Sequence, residues 1–222
     1  MLAVRKPNLL VAPVALLALL MAAPLAHAAT ASDTTQFSVT AGTLAFGTAP
    51  DAPNLSALTI NGQSQTLTAQ MPNFSVVDGS GTASGWNVTV NGDSSAGKSA
   101  VFKQYCSNGA SVCGTDAANS YVTGGQTLAA NSLTLSSTGA AFTGQSGSTG
   151  TAPTHQCSTA CNVDAGSAVK VASAAASAGM GTWQANSYGT SSLSLAAPST
   201  LRALPANEIY RTDLVWTLNS GP

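Results

Sequence analysis

The sequence predicts an all-β protein, namely an antiparallel β-sandwich or barrel-like sandwich that carries a disulfide-pinned loop insertion. Helix signals are nearly absent, and short alternating segments recur between turn-forming Gly, Asn, Ser and Asp residues. This pattern is typical of sandwiches and barrels. The clearest segment, WNVTVN, places Trp86, Val88 and Val90 on one face, because every second side chain of a strand points the same way.

The C-terminal segment YRTDLVWTLNSGP, residues 210–222, alternates in the same way. Its apolar residues Tyr210, Leu214, Trp216 and Leu218 share one face, because residues two apart in a strand do so. A chain end is usually polar and frayed. Because this segment carries an apolar face instead, we expect it to form a central or well-covered strand that closes a sheet against the segment around Trp86.

Two hairpins are predicted. Asn61-Gly62 lies between the alternating residues 58–60 and 65–67, and both turn residues tolerate positive φ. Residues 128–138 could supply the second hairpin.

The stretch at about 107–165 is rich in Gly, Ser, Thr and Ala. We expect it to form long loops inserted between an N-terminal half, residues 35–105, and a C-terminal half, residues 166–222. Residues 169–178 are Ala-rich and fit either a short helix or a strand followed by a loop.

The first 28 residues have the pattern of a secretory signal peptide. Arg5 and Lys6 precede an apolar run at 9–21, and small residues follow at 24–29, with expected cleavage after Ala28. The run is short for a transmembrane helix, which needs about 20 residues; an uncleaved anchor is the alternative. The remaining residues, 29–222, are predicted to form a single β domain without a membrane span.

Charge is scarce, at 7% of residues against about 25% in an average soluble domain. Residues 29–222 hold five basic and eight acidic side chains, a net charge of −3. Nucleic-acid binding requires several phosphate-neutralising cations and is not expected. A neutral, sugar-rich partner fits this composition better.

Four cysteines in an exported chain suggest two disulfides. The local pairs Cys106–Cys113 and Cys157–Cys161 are favoured because small rings close easily within loops. Crossed pairing between the two loops is the alternative.

Two motifs resemble the signature of the WxL-domain family of Gram-positive surface proteins. GWNVTV at 85–90 is similar to its first half and YRTDLVWTLNSGP at 210–222 to its second. Val88 stands where the family usually has Leu, and it can make the same buried contact. LAFGTAP at 44–50 and LSLAAPSTLRALPAN at 193–207 are similar to other family segments, whereas the cysteine-bearing insertion is not part of the pattern.

The resemblance implies a secreted, cell-wall-associated protein that binds peptidoglycan or another wall glycan non-covalently. It also implies that other surface proteins can be partners. The alternative is a structural or adhesive subunit of a surface complex or pilus-like assembly, which would bind proteins through an exposed edge strand.

The aromatic residues divide into two groups. Trp86 and Trp216 lie within alternating strands, so we expect core packing rather than sugar stacking. Trp183 and Tyr188 lie among turn residues in MGTWQANSYG and are the better candidates for an exposed ligand-stacking surface. A local mini-core is the alternative for this pair.

No motif indicates catalysis, a metal or a cofactor. HQCSTAC, residues 155–161, could bind a soft metal, but exported cysteines usually oxidise, which leaves His155 as an exposed loop residue. Asp78 in the turn-like segment 78–81 and Asp93 in the segment 91–94 each supply one carboxylate, which is too few for calcium. Glu208 and Asp213 have opposite parity in a strand and do not form a convincing catalytic pair.

Overall fold

The computed structural model describes residues 32–114 and 119–222. The predicted signal peptide, residues 1–28, lies outside these ranges. The chain divides into a first unit that ends at Val39 and a compact unit, Thr40–Pro222. Residues 32–39 of the first unit have no regular secondary structure.

The described residues form fourteen strands and one helical turn. The strands are β1 Leu44–Thr48, β2 Gln65–Ala69, β3 Phe74–Asp78, β4 Trp86–Gly92, β5 Lys103–Cys106, β6 Leu133–Leu135, β7 Ala141–Gln145, β8 Thr154–His155, β9 Cys161–Asn162, β10 Val169–Ala174, β11 Gly181–Asn186, β12 Leu193–Ala197, β13 Glu208–Arg211 and β14 Leu214–Ser220; the helix is α1 Ala110–Cys113. The predicted all-β class is confirmed.

The strands make three four-stranded sheets and one two-stranded ribbon. The first sheet has the order β1-β3-β11-β7, the second β14-β4-β10-β8, and the third β2-β12-β6-β9. The ribbon pairs β13 with β5. Every neighbouring pair is antiparallel.

One apolar cluster holds the sheets together in a sandwich-like packing. Strand β4 alternates strictly, and Trp86, Val88 and Val90 are fully buried. Phe142 of the first sheet contacts Trp86 of the second sheet edge-on, with ring centroids 6.0 Å apart. It also contacts Phe74 of its own sheet at 6.2 Å. These contacts join the inner faces of the first two sheets.

Residues 107–165 are not a loop insertion, contrary to the prediction. They contain β6, β7, β8 and β9, which pair with β12, β11, β10 and β6 respectively. The strands are two to five residues long and rich in small side chains, so their alternation is too short to stand out in the sequence. Tertiary pairing decides their conformation.

Neither predicted hairpin forms. Residues 58–60 are not a strand, and β2 pairs with β12, about 130 residues away. Asn61 instead caps a local bend, with its Oδ1 accepting the N–H of Gln63 at 3.0 Å. Within 128–138 the structure has only β6 and no second strand. The ambiguous residues 169–178 adopt the strand-then-loop alternative, as β10.

Both disulfides connect local pairs. Cys106 is bonded to Cys113 across α1, and Cys157 is bonded to Cys161 at the start of β9. The crossed alternative is not adopted, and all four cysteines of the sequence are oxidised.

Candidate functional site: a groove beside the C-terminal strand

The two tryptophan motifs are adjacent in space. Strand β14 pairs antiparallel with β4, so Trp216 lies opposite Val90 and Leu218 lies opposite Val88. Directly opposed residues of an antiparallel pair share a face. The second motif therefore extends the apolar face that Trp86 begins. However, among the residues that the structure describes, β14 is the end strand of its sheet rather than a central one, with β4 as its paired neighbour.

The two tryptophans have different environments. Trp86 is completely buried, and its indole N–H donates to the carbonyl oxygen of Gly179 at 3.0 Å. Trp216 packs against the same core but is only partly buried. The prediction of core packing thus holds fully for Trp86 and in part for Trp216, because an edge strand is covered from one side only.

A groove of about 1070 Å³ opens over the exposed part of Trp216. It is bordered by the irregular segment 50–60, by residues of β2 and β12, by the segment 201–204, and by β13 and β14. The principal apolar lining residues are Leu55, Leu58, Ile60, Leu67, Leu195, Leu201, Leu204, Tyr210, Leu214 and Trp216. Three members of the second motif therefore line one open, apolar and partly aromatic surface.

The family model for the WxL domain, described as surface cell wall-binding, matches residues 26–222. The chain belongs to the WxL domain family. The groove lined by Tyr210, Leu214 and Trp216 is thus built partly by the second signature motif. No curated protein and no solved structure matches the chain. Membership identifies a cell-wall-binding surface protein.

Charged residues border the groove of this WxL domain. They are Asp51, Asp93, Lys98, Arg202, Glu208, Arg211 and Asp213. Arg202 is exposed, and its backbone carbonyl accepts the Tyr210 hydroxyl at 2.9 Å. Burial raises the pKa of the Tyr210 hydroxyl. The groove is therefore lined by both apolar side chains and side chains of mixed charge.

Asp213, another lining residue of the groove, fixes the start of β14. Its carboxylate accepts hydrogen bonds from Arg211 Nη2 at 2.7 Å, from the Tyr121 hydroxyl at 2.5 Å and from the Ser99 N–H at 3.1 Å. Lys98 Nζ lies 3.6 Å away. Burial acts to raise the pKa of Asp213, but the hydrogen bonds from Tyr121, Arg211 and Ser99 outweigh it and the pKa is lowered.

Trp183 and Tyr188 do not form the exposed stacking surface predicted for this WxL domain. They are 4% and 3% exposed. Trp183 lies on β11 between β3 and β7, and its N–H donates to the carbonyl of Met180 at 2.9 Å. Tyr188 packs edge-on against His155, at 5.3 Å between ring centroids. Turn residues flank both positions in sequence, but strand pairing buries Trp183 and packing against the core buries Tyr188.

His155 is likewise not the exposed loop residue expected. It lies on β8, stacks on Phe142 at 4.5 Å, and is half-buried. Burial lowers the pKa of its imidazole. Its neighbour Cys157 is fully buried in the core. His155 and Cys157 of the HQCSTAC segment therefore contribute to the packing of the core in this WxL domain.

The other polar candidates are engaged locally. Asp78 accepts the Ser80 N–H and hydroxyl, and Asp93 accepts the Ser95 N–H at 2.9 Å, as turn residues do. Glu208 accepts Gln104 Nε2, in a network separate from that of Asp213. Across 32–114 and 119–222, no cluster of three or more His, Cys, Asp or Glu could hold a metal ion. Over the same ranges, no helix has the length and apolar character that crossing a membrane requires.

Sequence reasoning missed the segment 50–60 and Arg202 as groove residues. Their signal was weak, because PDAPNLSALTI contains two prolines and alternates only at residues 58–60. Its apolar residues Leu55, Leu58 and Ile60 in a non-strand segment were the available clue.

Proposed function

We propose that this WxL domain binds peptidoglycan non-covalently through the groove beside β14. The observation that carries the proposal is Trp216, a family-signature tryptophan that is half-buried and lines an open groove. Buried signature residues can only specify the fold, whereas a partly exposed indole also offers an aromatic surface to a ligand.

The chemistry of the groove suits a glycan that carries short peptides. Sugar rings present C–H-rich faces that pack on aromatic side chains, and Trp216 and Tyr210 supply such side chains here. Arg202 and Asp93, which also line the groove, can hydrogen-bond the carboxylates and amides of stem peptides, respectively. The volume, about 1070 Å³, is slightly larger than that of typical small-ligand sites, which span roughly 300–1,000 Å³. A disaccharide with part of its peptide is an occupant of the right size.

We propose further that the domain is a binding module without catalytic activity. Glycan hydrolysis usually needs two carboxyl groups across a scissile bond. Glu208 and Asp213, the nearest candidates, are held by Gln104 and by Tyr121, Arg211 and Ser99. Incubation with purified walls should release no reducing ends and no soluble muropeptides.

Co-sedimentation with purified, polymer-stripped peptidoglycan tests the binding proposal. Ile60→Asp places a charge on the groove surface, and Met180→Asp is its matched control outside the groove. The two parent side chains are 41% and 43% exposed. We expect at least about tenfold weaker sedimentation for Ile60→Asp alone, since desolvating an unpaired carboxylate is costly. Equal retention of both variants, or no pelleting of the parent protein, would contradict the proposal.

A second candidate function is a structural or adhesive subunit that binds other proteins. It is favoured by the N-terminal segment, where Phe37 and Val39 are 90% and 81% exposed. If the protein did not sediment with purified walls but self-associated as its concentration increased, this candidate would be favoured over peptidoglycan binding.

A further inference from the structure

Arg202 is a cation of the groove that has no carboxylate partner. Three basic residues line the groove, namely Lys98, Arg202 and Arg211. Lys98 and Arg211 both pair with Asp213, at 3.6 and 2.7 Å. Over the part of the chain that the structure describes, the Arg202 guanidinium forms no ion pair and no hydrogen bond, and the residue is exposed. Its five N–H donors and its positive charge are therefore available to an anionic ligand.

The backbone of Arg202 is held at the groove by a residue of the second signature motif. The Tyr210 hydroxyl donates to the Arg202 carbonyl oxygen at 2.9 Å. Next to it, the Leu201 N–H donates to the Pro198 carbonyl oxygen at 3.0 Å, and Leu201 packs against the core. These contacts fix the point at which the Arg202 side chain leaves the segment 201–204.

The Arg202 side chain also lies near the Tyr210 hydroxyl. Burial raises the pKa of this hydroxyl, and the positive charge of Arg202 acts in the opposite direction. Charges separated by more than about 8–10 Å are largely screened by solvent at ordinary ionic strength. The guanidinium is therefore close to Tyr210, and an anion bound to it would sit beside the aromatic lining of the groove.

We propose that Arg202 determines the specificity of the groove by binding the free C-terminal carboxylate of a peptidoglycan stem peptide, and that Tyr210 positions Arg202 for this contact. This inference rests on the proposed function and names the chemical group that is recognised. A planar guanidinium pairs with both oxygens of a carboxylate through two parallel hydrogen bonds. Trp216 remains available in the same groove for a sugar ring or an apolar side chain of the ligand.

Cross-linking of the wall changes the recognised group. A cross-link converts the terminal carboxyl group of one stem peptide into an amide with an amine of another stem peptide. The amide is neutral and offers Arg202 one carbonyl oxygen in place of two charged oxygens, so the hydrogen bonding is weaker. The domain should therefore prefer newly made wall, in which more stem peptides end in a free carboxylate, over highly cross-linked wall.

Two forms of one soluble muropeptide test the inference without wall material. The probe is N-acetylmuramyl-alanyl-isoglutaminyl-lysyl-D-alanine, in which the terminal carboxylate is the only anionic group. The comparison is the same compound with a C-terminal carboxamide. Isothermal titration calorimetry of the parent protein should show about fivefold tighter binding of the carboxylate form, as expected for one ion pair of good geometry at a solvent-accessible site.

Four variants assign the preference to individual residues. Arg202→Gln should bind both muropeptides equally, whereas Arg202→Lys, which keeps the charge without the planar fork, should retain about a twofold preference. Tyr210→Phe keeps the ring but loses the bond to the Arg202 carbonyl, and its preference should fall to about twofold or less; a merely structural role would weaken binding of both forms equally. Lys170→Gln, at an exposed cation of β10 outside the groove, is the matched control and should keep the full preference.

Several results would overturn the inference. They are equal binding or no binding of the two muropeptides by the parent protein, an undiminished preference in Arg202→Gln, and tighter binding of glycerol phosphate, an anion of wall polymers, than of the carboxylate muropeptide. An undiminished preference in Tyr210→Phe would overturn its positioning role. Failure of the groove proposal is distinguishable from these results. If the parent protein pellets with purified walls and Ile60→Asp does not, groove binding stands even when the muropeptides are not discriminated.

Discussion

Trp216 lies directly opposite Val90 across the β14–β4 pair, but Val90 is fully buried and Trp216 is not. The two residues share a sheet face and differ because β4 has neighbours on both sides whereas β14 has one. The two WxL motifs therefore have different environments. Trp86 and Val88 of the first motif lie in the core, whereas Tyr210, Leu214 and Trp216 of the second motif line the groove.

Truncation of the two tryptophans should therefore have different effects. Trp86→Ala removes a fully buried ring and its N–H bond to Gly179, and should reduce the free energy of unfolding by about 3–5 kcal/mol. Trp216→Ala should cost about 1–2 kcal/mol, since only part of its surface leaves water on folding. Urea denaturation followed by circular dichroism measures both values. Equal losses would contradict the asymmetric burial.

Deleting residues 210–222 should prevent folding. The deletion removes β14 and half of β13, and it exposes the edge of β4. Each large apolar side chain contributes roughly 1.5–3 kcal/mol when buried, against a total stability of about 5–15 kcal/mol for a domain. Limited proteolysis and circular dichroism of the truncated chain provide the measurement. A soluble, protease-resistant product would show that the C-terminal strand is dispensable.

Asp213 should make stability depend on pH in the acidic range. Its pKa in the folded protein lies below the ordinary value of 3.8, so the unfolded chain takes up the proton first as the pH falls. The carboxylate therefore stabilises the fold fully above about pH 4 to 5, and this contribution is lost as the pH drops through the folded-state pKa. Urea midpoints of the parent protein between pH 7 and pH 2.5 should fall accordingly.

The variant Asp213→Asn should lose about 2–4 kcal/mol at pH 7, because Arg211 and the Tyr121 hydroxyl lose an ionised acceptor. Its midpoint should also fall less steeply on acidification. Asp51→Asn is the control at an exposed carboxylate on the same groove. An identical acid dependence in parent and Asp213→Asn would exclude Asp213 as the responsible group.

Gly179→Ala should destabilise the fold more than Gly62→Ala. Both glycines have positive φ, +69° and +79°, so both substitutions carry a strain of roughly 1 kcal/mol. At Gly179 the new Cβ would also lie 2.4 Å from Ala174 Cβ and 2.7 Å from Trp86 Nε1, whereas nothing lies within 4 Å at Gly62. Thermal unfolding should show a fall in Tm for Gly179→Ala at least twice that for Gly62→Ala. Similar falls would mean that the loop around Gly179 relaxes freely.

The protein recovered from the culture medium or cell wall should begin at Ala29. The basic start, apolar run and small-residue exit of residues 1–28 favour removal by signal peptidase. N-terminal sequencing of the isolated protein checks this directly. Recovery of the intact N-terminus from membranes would instead support an uncleaved anchor.

The sequence by itself determined the β class, the inward face of β4 and the family, and it favoured the local disulfides, because each depends on short-range alternation, spacing or a motif. WNVTVN shows its buried face without any neighbour, since the period of two is a property of the strand.

Only the tertiary structure decided which side chains remain open to solvent. Exposure depends on how many strands lie beside a residue, and β2, β6 and β14 find partners far away in the chain. That is why Trp183, among turn residues in sequence, is buried on β11 between β3 and β7, and Tyr188 is buried against His155. Trp216, in a regularly alternating strand, borders the groove.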